Sequence, residues 1–165
     1  MRPDARRRAE VGNAALGRDA RARQHDARPA RTHQLGEVHP RRVPPVDGFR
    51  FHTDVTVRFA ETDAQGVAHN SVYLVWFEVA RVAYLEAFAG GYPALRSNGI
   101  ESFVLESHVR YRTPARFDDR LRIFARVGEL RGARFRFDYA VDCDGSMVAD
   151  GWTAHACVDA VTLRP

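Results

Sequence analysis

Val57-Arg58-Phe59-Ala60-Glu61-Thr62-Asp63-Ala64-Gln65-Gly66 runs straight into Val67-Ala68-His69-Asn70-Ser71-Val72-Tyr73-Leu74, and the two halves obey different periods. The first ends an alternating stretch, His52 to Phe59, with Val55, Val57 and Phe59 on one face and Asp54, Thr56 and Arg58 on the other. That is the pattern of a half-buried strand. The second opens a run from Ser71 to Ala89 in which 15 of 19 residues are hydrophobic. Asn70-Ser71 can cap its start and Gly90-Gly91 can stop it, so a helix is predicted. The loop between strand and helix carries a carboxylate, a glycine and an imidazole.

A helix so apolar must be covered nearly all round. The remaining sequence supplies the cover. Phe103 to Arg112 alternates, Arg120 to Val127 alternates again, and Phe135, Phe137, Tyr139 and Val141 alternate against Arg134, Arg136, Asp138 and Asp142. Met147 to Ala160 closes the series. The connections at Asp118-Asp119, Gly128 to Gly132 and Asp144-Gly145 are short and turn-like, the last a good type I′ pair. These four strands are therefore expected to be sequential and antiparallel. The element order is β-α-β-β-β-β, an α+β arrangement in which an antiparallel five-stranded sheet wraps one long central helix. Alternating arginines then line the outer sheet face, which reads as a solvated surface rather than a nucleic-acid surface.

Composition divides the 165-residue chain in two. All 25 basic residues are arginine, and residues 1–50 hold 12 of them against 6 acids, whereas residues 51–165 hold 13 against 15. Every Phe, Tyr and Trp lies at Phe49 or later. Without large apolar side chains, residues 1–48 cannot offset the entropy of ordering and are expected to be a disordered Arg/Ala/Pro-rich extension. Residues 49–165 are long enough to fold as one domain without disulfides or metal. Cys143 and Cys157 form no CxxC pair and no secretory signal is evident, so free thiols and a cytoplasmic location are expected. No apolar run free of charges reaches the length of a membrane span.

The loop at Asp63 concentrates the chemistry. A helix N-terminus offers unpaired N–H groups and a positive dipole end, which suit an oxyanion or a polarised carbonyl. A carboxylate at Asp63 can attack a thioester carbonyl or activate a water, with no metal required. The plain alternative is that Asp63 caps a turn, a common role for Asp near Gly. His69 by itself reads as a solvated or loop-bonding residue, and Glu61 as an exposed one.

These residues carry a resemblance. Val57 to Gly66, His69 to Leu74, Phe77-Glu78 and Ala80-Arg81, with Tyr111 to Pro114 and Asp118 to Leu121, are similar to the hotdog-fold thioesterases. The similarity is specifically to the 4-hydroxybenzoyl-CoA thioesterase-like family of small acyl-CoA hydrolases, over about Phe51 to Pro165. It implies that Asp63 is the catalytic carboxylate, that the backbone near Asn70 contacts an oxyanion, and that His69 is a nearby polar group. Gly66, Ser71, Tyr73 and Trp76 are then assigned to substrate binding; Tyr73, Trp76 and Phe77 are candidates for an acyl pocket, with core packing the favoured alternative for an aromatic stripe at helical spacing. One branch of that family has Tyr and His where this chain has Phe59 and Asn70, and here the histidine is shifted to His69.

The resemblance further implies an acyl-CoA substrate, fatty or aromatic, with no separate cofactor since coenzyme A is part of the substrate. It implies a homodimer or homotetramer with helices side by side beneath a continuous sheet, and neither a nucleic-acid nor a membrane partner. Arg110, Arg112, Arg116 and Arg120 are candidates for the coenzyme phosphates. Rival readings are a hotdog-fold dehydratase or hydratase and a non-catalytic acyl-CoA binding module. An OB-like nucleic-acid barrel is a further rival, but it would place the helix between its third and fourth strands.

Overall fold

The computed structural model describes residue 46 and residues 48–165. The extension expected over residues 1–48 lies outside the described residues except at Val46 and Gly48. The elements are β1 (His52–Thr56), a single 3-10 turn (Phe59–Glu61), α1 (Val72–Ala89), α2 (Gly91–Ser97), β2 (Ile100–Tyr111), β3 (Arg120–Arg131), β4 (Arg134–Cys143) and β5 (Ser146–Asp159). All pairings are antiparallel, in the order β1-β3-β4-β5-β2. One long helix against a five-stranded antiparallel sheet is the architecture expected from the pattern.

Three details depart from expectation. The first strand ends at Thr56 rather than Phe59, because Arg58 and Glu61 close a capping box that turns the chain. A second helix, α2, follows Gly90, which ends α1 in the left-handed region at φ 72°. The residues after the Gly-Gly stop can thus restart a helix, with Pro93 in the first turn, where a missing N–H costs nothing.

The third departure concerns order. β2 and β3 are not neighbours, since β2 pairs with β5 and β3 with β1. The segment between them is a crossover from one edge of the sheet to the other side, and a turn-like composition does not tell a crossover from a hairpin. The two true hairpins are β3-β4, through Gly132-Ala133, and β4-β5, through Asp144-Gly145. Asp144 (φ 51°) and Gly145 (φ 88°) both have the positive φ that a type I′ turn needs. Gly128, read as part of a turn, instead sits at a register shift inside β3.

The inner sheet face meets one stripe of α1. Tyr73, Trp76, Phe77, Ala80 and Arg81 are buried, the i, i+3, i+4, i+7, i+8 spacing of a helix face. They pack on Leu121, Ile123, Ala125, Phe137, Tyr139 and Val141, and Phe77 stacks on Tyr139 with centroids 4.3 Å apart. The opposite stripe, Leu74, Val75, Val79 and Val82, is 39–49% exposed. Within one chain the helix is therefore covered on one side only. The β2 edge is uncovered as well, with Phe103, Val104 and Leu105 about half exposed.

On the outer face the arginines do not form a free basic surface. Arg122 bonds Asp142 and Arg126 bonds Asp138, each pair directly opposite in the β3-β4 register. Arg112 reaches Asp150 at 2.5 Å and Arg136 reaches Asp138 at 2.9 Å. Opposite charges across and along the strands pair these four arginines.

Candidate active site

Asp63 opens a tight turn, Asp63 to Gly66, between the 3-10 turn and α1. Thr62 and Ala68 form an isolated antiparallel bridge, flanked on one side by Asp63 N–H to Val67 O (2.9 Å) and on the other by His69 N–H to Glu61 O (2.8 Å). Gly66 takes φ 73° to close the turn, and its N–H bonds the Asp63 carbonyl at 2.9 Å. A side chain beyond Cα at Gly66 would strain the turn, so its role here is conformational.

One oxygen of Asp63, Oδ1, accepts the Gln65 N–H at 2.8 Å and a longer bond from Val67 N–H at 3.5 Å. The turn-capping role considered from sequence is therefore real, yet it uses one carboxylate oxygen. The side chain is half-buried, and its second oxygen, Oδ2, has no hydrogen-bond partner among the described residues.

The helix start is built from short-range bonds. His69 Nδ1 lies 2.8 Å from Ser71 Oγ and accepts the Ser71 N–H at 3.3 Å. With Nδ1 accepting, the neutral imidazole carries its proton on Nε2. His69 therefore brackets the first turn of α1, the loop-bonding role read from the sequence. Ser71 is the N-cap residue, though its hydroxyl goes to the histidine rather than to the helix backbone. Val72 N–H bonds His69 O at 3.0 Å and Leu74 N–H bonds Ser71 O at 3.2 Å.

Asn70 is fixed from outside the loop. Tyr111, at the end of β2, donates its hydroxyl to the Asn70 carbonyl at 2.8 Å. Nothing in the spacing of the sequence could have paired residues so far apart. The crossover also closes on the site: Ala68 N–H bonds Ala115 O at 2.8 Å, and Arg116 Nη1 reaches the Gly66 carbonyl at 3.4 Å.

Tyr73 and Trp76, read as substrate contacts, are 3% and 1% exposed and belong to the core. Burial pushes the Tyr73 phenol up, with the Ala115 backbone opposing it. Helical spacing put both on the stripe that faces the sheet, so in this chain they support the site from beneath. Glu61, read as exposed, is also buried, at 6%. Burial pushes its carboxyl up, but hydrogen bonds from Arg58 outweigh that and hold it below the usual carboxylate range.

Of the arginines proposed for phosphates, Arg112 is engaged by Asp150 on the outer face, where Arg110 lies as well. Arg116 alone touches the Asp63 loop. Among the described residues no His/Cys/Asp/Glu group is arranged to hold a metal, no helix is long and apolar enough to cross a membrane, and Cys143 and Cys157 are free thiols.

The family model described as the thioesterase-like superfamily matches residues 57–165. The acyl-CoA thioesterase YbgC of Haemophilus influenzae is 31% identical over 120 residues, 72% of this chain and 87% of that one. A hypothetical protein of Thermus thermophilus has TM-score 0.63 at 39% identity, covering 66% of this chain and 84% of that one. A DHNA-CoA thioesterase of Staphylococcus aureus has TM-score 0.65 at 28% identity, covering 69% and 77%. With the matched segment spanning the Asp63 loop, both helices and strands β2 to β5, the chain belongs to the thioesterase-like superfamily and is a thioester hydrolase of the hotdog fold.

Proposed function

We propose that the protein hydrolyses acyl-CoA thioesters to free acid and coenzyme A, with Asp63 as the reacting carboxylate. The observation that carries this is the join of the Asp63 turn to the start of α1 through the Thr62–Ala68 bridge. It supports this reading by holding the carboxylate, one of whose oxygens has no hydrogen-bond partner among the described residues, on the loop that leads into an 18-residue helix. The related YbgC and DHNA-CoA thioesterases act on coenzyme A thioesters by their names, which supports the same substrate class here.

The thioester carbonyl is bound with its oxygen toward the Asn70 N–H at the positive end of α1, since the N–H groups of Ser71, Val72 and Leu74 are already taken up. The Asn70 N–H and the helix dipole stabilise the charge that develops on oxygen in the tetrahedral intermediate. No carbonyl of the described residues takes up the Asn70 N–H. Two routes use Asp63: direct attack, giving an acyl anhydride that water then cleaves, or deprotonation of a water that attacks the carbonyl. In both, coenzyme A leaves as the thiol and no separate cofactor is consumed.

A second copy of the chain completes the assembly. The apolar stripe Leu74, Val75, Val79 and Val82 and the open β2 edge are the surfaces it covers, which supports helices side by side beneath a continuous sheet. A homodimer is the minimum unit, and pairs of dimers give the tetramer.

The test is release of free thiol from short, long and aromatic acyl-CoAs by wild type and Asp63→Asn. Hydrolysis by wild type and loss of about a hundredfold or more in the variant is expected. A single turnover in H2(18)O tests direct attack: water that cleaves the anhydride at the Asp63 carbonyl carbon leaves the label in Asp63 and releases unlabelled acid, whereas a water activated by Asp63 puts the label into the acid. Equal activity of the two proteins would remove Asp63 from the chemistry.

A further inference from the structure

Glu61 is a buried acid that the reaction above does not use. Its side chain is 7% exposed while that of its partner Arg58 is 73% exposed. Oε2 accepts the Arg58 backbone N–H at 2.8 Å, and Oε1 accepts Arg58 Nε at 3.0 Å and Nη2 at 2.7 Å. All three donors come from one residue, so the carboxylate closes a ring around residues 58–61 instead of tying down a remote strand. Trp76 Nε1 is buried with no hydrogen-bond partner among the described residues, and the indole adds to the hold that keeps the Glu61 carboxyl below the usual range. The Glu61 carbonyl accepts the His69 N–H at 2.8 Å. At Glu61, then, the end of the first strand, the loop that carries Asp63 two residues on, the floor of α1 and the bracket before α1 all meet.

We propose that Glu61 is a positioning residue for Asp63. Its carboxylate, locked to Arg58 and set against Trp76, fixes the turn from which Asp63 is presented to the start of α1. The proposal rests on the reading of Asp63 as the reacting carboxylate. A bond network within four residues adds little to global stability, because it spans no distant elements. It does set the exit direction of the chain, and a small misplacement of a reacting group is costly. Glu61→Gln keeps the shape but offers one acceptor oxygen and an NH2 group to three donors, so the ring opens.

Wild type, Glu61→Gln and Arg58→Lys are compared by amide hydrogen exchange and by steady-state hydrolysis of an acyl-CoA that wild type cleaves. In Glu61→Gln the peptide covering residues 58–70 is expected to exchange about tenfold faster while the β4 peptide is unchanged. The expected kcat falls by about tenfold to a hundredfold with KM within about threefold. Arg58→Lys keeps the charge and loses the two-nitrogen fork, so an intermediate value of both is expected. Should Glu61→Gln unfold, Arg58→Lys carries the same two readouts. Unchanged loop exchange with unchanged kcat would overturn the proposal even if Asp63→Asn is inactive. If wild type cleaves no thioester, the Asp63 reading fails and loop exchange alone decides: faster exchange supports the positioning role and unchanged exchange overturns it.

Discussion

The Tyr111 hydroxyl donates a 2.8 Å hydrogen bond to the backbone carbonyl of Asn70, joining the end of β2 to the turn before α1. The Tyr111 ring also meets the buried Tyr73 ring edge-on, with centroids 5.0 Å apart. An exposed strand end thus holds the peptide unit that leads into α1. Tyr111→Phe keeps the ring contact and deletes the bond. A stability loss near 1 kcal/mol is expected, with a fall in kcat of about tenfold. An unchanged kcat in a thiol-release assay would show that Asn70 is held without it.

His155 gives the fold a pH dependence. It is 1% exposed, its Nε2 lies 2.7 Å from Thr153 Oγ1, and its ring stacks on Phe135. Burial, aided by the charge of Arg81, lowers its pKa from 6.5 to about 4. The unfolded chain then binds a proton that the folded chain refuses, so stability is lost as pH falls from about 6.5 and the loss levels off near 4. A shift of that size corresponds to about 3 kcal/mol. Urea unfolding of wild type and His155→Gln at pH 7 and pH 4.5 should show a smaller acid loss in the variant; equal losses would assign the effect elsewhere.

Gly151 is required for close packing rather than for its φ. A Cβ there would lie 2.2 Å from the His108 carbonyl on β2 and 2.8 Å from the Phe77 ring on α1. Neither a paired strand backbone nor a ring stacked on Tyr139 can move aside cheaply. Gly151→Ala is expected to cost roughly 3 kcal/mol. A chemical-denaturation midpoint within error of wild type would contradict this packing.

Two ion pairs of β3 should differ sharply. Arg122 and Asp142 have side chains 16% and 8% exposed, and Asp142 Oδ2 also accepts the Gly145 N–H of the β4-β5 hairpin at 3.1 Å. Arg131 and Glu129 pair at 81% and 44% exposure. Asp142→Ala leaves a half-enclosed guanidinium unpaired and should cost about 3 kcal/mol, whereas Glu129→Ala should cost under about 0.5 kcal/mol. Similar values for the two variants would mean that burial does not set their worth.

Removing residues 1–45 should leave folding and hydrolysis unchanged. The cut belongs before Val46, because Val46 packs on the outer-face cluster of Phe49, Phe124 and Ala140. A thermal midpoint lowered by more than about 4 °C, the order expected from 1 kcal/mol in a domain of this size, would give the extension a structural role.

Local information sufficed for a good part of this protein. Alternation in His52 to Phe59 and in the later strands, the apolar run before Gly90-Gly91, and Asp144-Gly145 each specify their conformation through nearest neighbours, so strands, helix and hairpin were legible before any folding. The carboxylate, glycine and imidazole of the Asp63 loop were legible as well, because residue type and adjacency are sequence properties. What the chain pairs across long separations was not. The placement of β2 beside β5 instead of β3 depends on which edges are free once the hairpins have formed. The hold of Tyr111 on Asn70 exists because that crossover brings β2 to the helix start. The burial of Glu61 and Trp76 is decided by which stripe of a helix apolar on both sides meets the sheet. Burial and register are properties of the packed molecule, and they convert a legible list of residues into a site.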